Sequence, residues 1–349
     1  MADIALIQRF LPGTSRGGVG YFTDGLARVL VRRGHRVTVF SQDPPPADAP
    51  YEVTRVPVTG GRLAPLRFPW ALRRCDFSRF DVIHAQGDDQ WLPRRGRPPV
   101  VRTMHGTALA EAWFNGILGR SLRRLLLHLW FFVGEWIAAL RADVLVGVSA
   151  HTLRFYPRTG QVIPNGIDLA VLSPDPAAKS AHPTVLFVGE VDSRKRGRLL
   201  LTAMRHVRAT LPDAEVWIVG PAVEEQPGVR CWGGVDDTQL RVLLRSAWVL
   251  CLPSAYEGFG RPYIEAMASG TTVVASPNPG ARDVLRGGAL GIIAEDEALA
   301  DQLLRVLQSP DERARLERAA LADVGRYDWA VVAAQYEAVY TQVMARARA

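Results

Sequence analysis

Short apolar runs of strand length alternate with longer amphipathic stretches along the whole 349-residue chain. DIALIQRF, HRVTVFSQ, FDVIHAQG, PPVVRTMHG and ADVLVGVS are such runs in the first half, and TVLFVGEV, AEVWIVG, WVLCLPS and TTVVAS repeat the grammar in the second. Continuously apolar strands are covered on both faces, and the stretches between them are long enough for the helical crossovers that parallel strands need. The chain is large for one core, so the expected class is α/β with two domains. LSPDPAAKSAHP, rich in proline and small residues, has the composition of a linker. Expected boundaries are residues 1–172 for the first domain, 182–327 for the second, and 328–349 for an amphipathic terminal helix.

Composition narrows the function classes. With 48% hydrophobic and 22% charged residues the chain reads as globular, and its net charge of +7 could serve anionic substrates, an acidic membrane surface or nucleic acid. The basic residues are scattered rather than interleaved with aromatics along one face, which argues against nucleic acid. Cys75, Cys231 and Cys251 are odd in number and far apart, with no metal-type pairing, so a reduced, cytoplasmic setting is expected. MADIALIQRF carries no leader pattern, and no apolar run reaches the roughly 18 residues of a membrane span. From Ser121 to Leu140 runs the most apolar helical stretch, with Arg123 and Arg124 at its head. Such a helix can lie in a membrane interface, at the inner membrane face for a cytoplasmic protein. Its nearly all-round apolar run from Leu125 to Val133 points instead to burial against the sheet.

The most informative stretch is SAYEGFGRPYIEAMASGTTVVAS, Ser254 to Ser276. Pro262 suits a first helical position and Gly270 a helix end, so the stretch reads as loop, helix, strand, with the loop leaving the carboxyl end of WVLCLPS. In an open α/β sheet ligands bind at that edge. Glu257 and Glu265 flank a helix start whose free N–H groups suit a phosphate, while carboxylates suit sugar or ribose hydroxyls. A capping glutamate and an exposed one would be the structural alternative. Nearer the amino terminus, Gly17-Gly18 precedes a second helix start. Gly18, Gly20 and Thr23 do not complete Gly-x-Gly-x-x-Gly, so Asp43 is not taken as a dinucleotide ribose contact. His84 and His105 each end a strand, where a histidine is usually a satisfied structural group.

The whole string EGFGRPYIEAMASGTTVVAS resembles the Glu-x7-Glu signature of the family-4 retaining glycosyltransferases. That resemblance implies the glycosyltransferase-B architecture, two facing Rossmann-like domains with a C-terminal helix crossing back to the first. It implies a donor, a UDP- or GDP-linked hexose, and an acceptor of unread identity, such as a lipid-linked sugar or a glycosylated natural product. On the resemblance Glu265 holds the ribose, Glu257 orients the sugar, and the amides near Phe259 and Gly260 help seat the donor. Arg261 departs from the family's small or apolar residue and sits among these donor contacts. Lys195 neutralises the leaving diphosphate with Arg194 or Arg196 beside it. Gly17 and Gly18 resemble the first-domain loop that closes on the diphosphate. Thr103-Met104-His105-Gly106 matches the segment whose histidine lies beside the donor sugar's reacting face, leaving His84 as structural. Glu190 stands where the family usually has arginine, and is expected to turn from the phosphates and pair with an arginine or a sugar hydroxyl. No cofactor is implied and no metal: Asp-x-Asp is absent, and Asp236-Asp237 looks like a helix cap. A sugar-nucleotide 2-epimerase of the same architecture and a noncatalytic nucleotide-binding or membrane-docking module are the alternatives.

Overall fold

The computed structural model describes residues 1–13, 17–58, 64–93, 96–114 and 121–348. The chain divides into two compact units, Met1–Gly166 with Trp329–Ala349, and Ile167–Asp328. The passage out of the first unit falls at Gly166, ahead of the proline-rich stretch. Ile167 already belongs to the second unit, since its N–H donates to the Tyr327 carbonyl at 2.8 Å and it bridges to Asp328.

Seven parallel strands build the first sheet: β1 (Asp3–Ile7), β2 (Arg36–Ser41), β3 (Glu52–Arg55), β4 (Val82–Ala85), β5 (Val100–Met104), β6 (Val144–Gly147) and β7 (Gln161–Val162), in the order β3-β2-β1-β4-β5-β6-β7. Alternate residues of one strand point to opposite faces. Ile4 and Leu6 therefore join a core with Leu26 and Leu30 of α1 (Gly18–Arg32), whereas Ala5 and Ile7 join another with Phe68, Phe77 and Phe80. Two buried faces are the reason the strand reads as an unbroken apolar run. The unit's other helices are α2 (Ala64–Ala71), α3 (Ala108–Glu111), α4 (Leu122–Arg141) and α5 (Ala150–Leu153).

The second unit carries six parallel strands: β8 (Thr184–Val188), β9 (Glu215–Val219), β10 (Val229–Gly233), β11 (Val249–Leu252), β12 (Thr272–Ala275) and β13 (Ile292–Ile293), in the order β10-β9-β8-β11-β12-β13. Its helices are α6 (Gly197–Thr210), α7 (Asp237–Ser246), α8 (Arg261–Ala268), α9 (Pro279–Val284), α10 (Leu299–Gln308) and α11 (Pro310–Asp323). Asp236 caps α7 by accepting from the Gln239 N–H at 2.7 Å. In both sheets the strand order reverses beside the unit's first strand, between β1 and β4 and between β8 and β11. Loops leaving the carboxyl ends of those pairs diverge and open a crevice.

The terminal helix α12 (Trp329–Arg348) returns to the first unit, where Val332, Tyr336 and Tyr340 share the α1 core. Trp329 fits only because two neighbours are glycine. A Cβ on Gly25 or Gly166 would lie 2.4 or 2.3 Å from its indole.

One expectation fails at α4. Ala138 and Ala139 are its buried residues. Glu135 anchors this inner side, accepting from the Ala108 N–H at 3.0 Å and the Tyr156 hydroxyl at 2.9 Å. Leu122, Leu126, Leu129, Trp130, Val133 and Leu140 recur at helical spacing on the opposite side and stand 38% to 70% exposed. A run that is apolar all round cannot tell which side meets the sheet. Here the small residues take the inside and the bulky ones face out. Among the described residues no helix is long and apolar enough to cross a membrane.

Candidate active site

The loops after β8 and β11 meet at the second unit's switch point, joined where the Ala255 N–H donates to the Arg194 carbonyl at 2.9 Å. Lys195 lies back along its own strand end, its Nζ donating to the Val188 carbonyl at 2.8 Å. The path across Gly189 is open because that residue has no Cβ; one would stand 2.4 Å from Lys195 Cδ. Burial pulls the Lys195 pKa below that of an ordinary lysine, and Glu257 and Glu265 act against the shift. A cation so placed is desolvated and held by negative neighbours.

Both signature carboxylates are gripped by arginines. Buried Glu257 accepts from the Ser254 hydroxyl at 3.0 Å and pairs with Arg194 at 3.0 Å. Arg194 also donates to the Tyr256 carbonyl, so it braces the loop. Glu265, one turn into α8, pairs with Arg261 at 2.7 Å. The residue that departs from the family pattern is thus the partner of the signature's second glutamate. Arg196 turns away from Lys195, donating to the Pro253 carbonyl at 2.6 Å, to Ser276 at 2.8 Å and to Asp296 at 2.6 and 2.9 Å. It therefore supports the loop rather than adding a second cation beside Lys195. The Glu190 side chain is exposed, and no ion pair joins it to an arginine among the described residues. Of the two expected partners, the arginine pairing does not form, because Arg194 and Arg196 are committed elsewhere.

Gly260 caps α8 with φ +91°, a left-handed conformation that favours glycine. Pro262 follows in the first turn. At the far end the Thr271 N–H returns to the Ala266 carbonyl at 2.9 Å and the Gly270 N–H to that of Met267 at 3.2 Å, a Schellman ending. Phe259 is buried and meets Tyr327 edge-on at 5.7 Å.

Sequence reasoning missed the residues that hold this loop from behind. Asn278 is buried, caps α9 by accepting from Ala281 at 2.9 Å, and donates to the carbonyls of Ser254 and Ser276, each at 3.1 Å. Gly280 donates to the Glu257 carbonyl at 3.0 Å, and a Cβ there would come within 2.8 Å of it. Asn-Pro-Gly after a strand was the available signal, since each residue type has a specific turn role.

Gly17, Gly18 and His105 lie in the first unit. Gly17 caps α1 without a side-chain bond, and no acidic residue occupies the helix's first turn, the end where the dipole favours negative charge. Asp43 is buried and accepts from the Leu11 N–H at 3.0 Å, which accounts for it structurally. His105, half-buried just beyond β5, meets the Phe22 ring edge-on at 4.7 Å. Its Nε2 lies 2.8 Å from Gln86 Oε1. Burial, aided by the Arg102 charge, lowers its pKa to about 3, so the ring is neutral at ordinary pH. His84 is fully buried between Tyr340 at 2.7 Å and Thr103 at 2.8 Å, a satisfied structural group.

Residues 16–171 match Glycosyltransferase Family 4 and residues 172–323 match Glycosyl transferases group 1. The chain is 31% identical to the phosphatidyl-myo-inositol mannosyltransferase of Mycobacterium leprae (strain TN), over 94% of this chain and 93% of that one. In fold it resembles the sucrose-phosphate synthase of Thermosynechococcus elongatus, with TM-score 0.83 and 24% identity over 99% of this chain and 100% of that one. HepE of Anabaena in complex with UDP-glucose superposes with TM-score 0.77 at 18% identity, over 98% and 100% of the two chains. The chain is a glycosyltransferase, and it belongs to family 4, of the glycosyltransferase-B fold.

Proposed function

We propose that this enzyme moves a hexose from a UDP- or GDP-linked donor to the polyol headgroup of a membrane lipid, with retention of anomeric configuration and without a metal ion. The observation that carries the donor half is the gathering of Lys195, Glu257 and Glu265 at the carboxyl ends of β8 and β11. Lys195 would neutralise the diphosphate as it leaves, because a preorganised charge in a desolvated site counts for more than one in water. Glu265 would exchange Arg261 for the ribose hydroxyls, and Glu257, fixed by Ser254 and Arg194, would orient the sugar. In the first unit the N-terminus of α1 at Gly17 and Gly18 suits a phosphate, and His105 suits a sugar hydroxyl.

The transfer is a same-face displacement through an oxocarbenium-like state. The bond from the anomeric carbon to the β-phosphate oxygen breaks with its electron pair going to that oxygen. The acceptor oxygen bonds to the same face, and its proton passes to the phosphate. No carboxylate nucleophile is needed, which agrees with Glu257 being occupied as a positioning group.

The acceptor half is supported by α4 and by the mannosyltransferase it resembles, whose name specifies phosphatidyl-myo-inositol. Large apolar side chains from Leu122 to Leu140 face out from one side of α4, with Arg123 and Arg124 exposed at its head. That combination suits the surface of an anionic bilayer. The test is purified protein given UDP- and GDP-hexoses, with vesicles of phosphatidylcholine alone or containing phosphatidylinositol, and nucleoside diphosphate release as readout. Release that needs the inositol lipid, persists in EDTA and yields an anomer matching the donor is expected. Failure with every donor would overturn the donor half, loss in EDTA the metal-free reading, and an inverted anomer the stereochemistry.

A further inference from the structure

Behind His105 lies a buried polar network that neither the signature nor the proposed transfer uses. Tyr340 Oη stands 2.7 Å from His84 Nδ1, and Thr103 Oγ1 stands 2.8 Å from His84 Nε2. Tyr336 Oη is 3.1 Å from Thr103 Oγ1. Gln86, also buried, reaches both histidines, with its Nε2 3.0 Å from His84 Nε2 and its Oε1 2.8 Å from His105 Nε2. Strand β4 with the loop beyond it, β5 with the loop beyond it, and α12 each supply part of this chain of contacts.

An amide has one donating and one accepting end, whereas a neutral imidazole nitrogen either donates or accepts. Gln86 bridges two Nε2 atoms. If its nitrogen donates to His84, its oxygen must accept from His105, and if the amide is turned over, both directions reverse. In either arrangement one and only one of the two Nε2 atoms carries a proton. We propose that Gln86 is a positioning residue that locks His84 and His105 into opposite tautomers, and that α12 holds the lock through Tyr340 and Tyr336. The orientation in the structure assigns the proton to Nδ1 of His84, facing Tyr340, and to Nε2 of His105. His105 then keeps an unprotonated Nδ1, an acceptor for a hydroxyl hydrogen. That use of Nδ1 rests on the proposed placement of His105 at the donor sugar.

The groups facing the two rings are Gln86, Thr103, Phe22, Tyr336, Tyr340 and, at His105, the Asn165 side chain, whose hydrogen bond favours the protonated ring, with His105 and the Arg102 guanidinium opposing a charge on His84. Arg102 is itself held by Asp89 in a buried ion pair. Among the described residues no carboxylate is hydrogen-bonded to either ring.

Imidazole nitrogen-15 spectra of the whole protein test the lock, because the two tautomers have distinct shift patterns. Wild type is expected to show His84 and His105 in opposite tautomers, both rings neutral, down to pH 5. Gln86→Glu presents two acceptors, so both Nε2 atoms should become protonated and an ionisation should enter the pH profile of kcat between about pH 5 and 8. Gln86→Leu should mix the His105 tautomers and lower kcat about tenfold with donor KM changed less than about threefold. If Gln86→Leu does not fold, Gln86→Glu, which keeps the length and both contacts, carries the test alone. Identical tautomers in wild type, or a His105 spectrum indifferent to both substitutions, would overturn the lock. Opposite tautomers combined with unaltered kcat in both variants would leave the lock standing but overturn its positioning role, and with it the placement of His105 at the sugar.

Discussion

The two units present their candidate chemistry in opposite ways. In the second unit, Ser254 to Ser276 carries a loop, a helix start, two carboxylates and a strand in one unbroken stretch, and Arg194 and Lys195, the cations set against Glu257, come from the adjacent strand end. In the first unit, His105 is one end of a network assembled from β4, β5 and α12, with Tyr340 lying 256 residues from the histidine it touches. A site carried on a contiguous segment can be recognised as a string. One assembled across the fold has no string, and only topology brings its members together.

The sharpest way to break the comparison is to remove the second unit's cation. Lys195→Ala should lower kcat by about 10² to 10³, the order seen when one preorganised charge-stabilising donor is lost. Wild type should also lose kcat/KM on the alkaline side at a pH below the ordinary lysine value of 10.5, because burial lowers the Lys195 pKa and the cation is therefore lost sooner as pH rises. An alanine variant of near-normal turnover would leave the second unit without its central group.

The two glutamates sharpen the same contrast. Glu257→Ala should act mainly on turnover, by roughly 10², since it removes an orienting group that is itself fixed in place, whereas Glu265→Ala should act mainly on donor KM, by roughly tenfold. Arg261→Ala serves as the control, because it frees Glu265 and should tighten rather than weaken donor binding. Equal and near-normal activity in both glutamate variants would sink the reading of the motif.

How much was legible follows from the same physics. The strand and helix grammar was readable because strands buried on both faces must be apolar throughout, as Ile4 to Ile7 are. The turn at Gly260 and Pro262 was readable because those positions demand particular residue types. The side of α4 that faces the sheet was not, since its apolar residues occur all round and only Ala138 and Ala139 fit the close approach. Nor was Gln86 readable, because a glutamine after a strand has no special backbone requirement. Asn278 lies between these cases, recognisable as a cap but not as the brace behind Ser254.

Acid stability probes the first unit in isolation from catalysis. His84 has its pKa lowered by burial to about 3, and so does His105. Both are depressed below the unfolded value of about 6.5, so the unfolded chain binds more protons as pH falls, and stability present above pH 6.5 is lost progressively toward pH 3. Each histidine contributes a slope of up to about 1.4 kcal/mol per pH unit in that window. Denaturant midpoints measured from pH 7 to pH 4.5 should therefore fall in wild type, and fall less steeply in His84→Gln, even though that variant starts from a lower midpoint. Parallel slopes in the two proteins would show that His84 is not held neutral.

The smallest expected effect belongs to Glu190, which stands where the family usually has arginine. A donor diphosphate brings about two negative charges, and a carboxylate directly beside it would oppose binding by repulsion in a partly desolvated site. The side chain is instead exposed, and its backbone carbonyl is the part in use, accepting from the Ser193 hydroxyl at 2.6 Å. Solvent then screens whatever repulsion remains, because exposed charges interact weakly through water. Glu190→Gln should accordingly keep kcat and donor KM within about threefold of wild type, which is less than 1 kcal/mol. Adding the family's cation is the stronger form of the measurement: Glu190→Arg should tighten donor binding at low ionic strength and lose that gain as salt is raised. If Glu190→Gln alone speeds turnover and tightens the donor by tenfold or more, the carboxylate does face the phosphates once donor binds. The loop after β8 would then have to move to bring it there, and Lys195 would no longer be the only charge in that loop setting the diphosphate's environment.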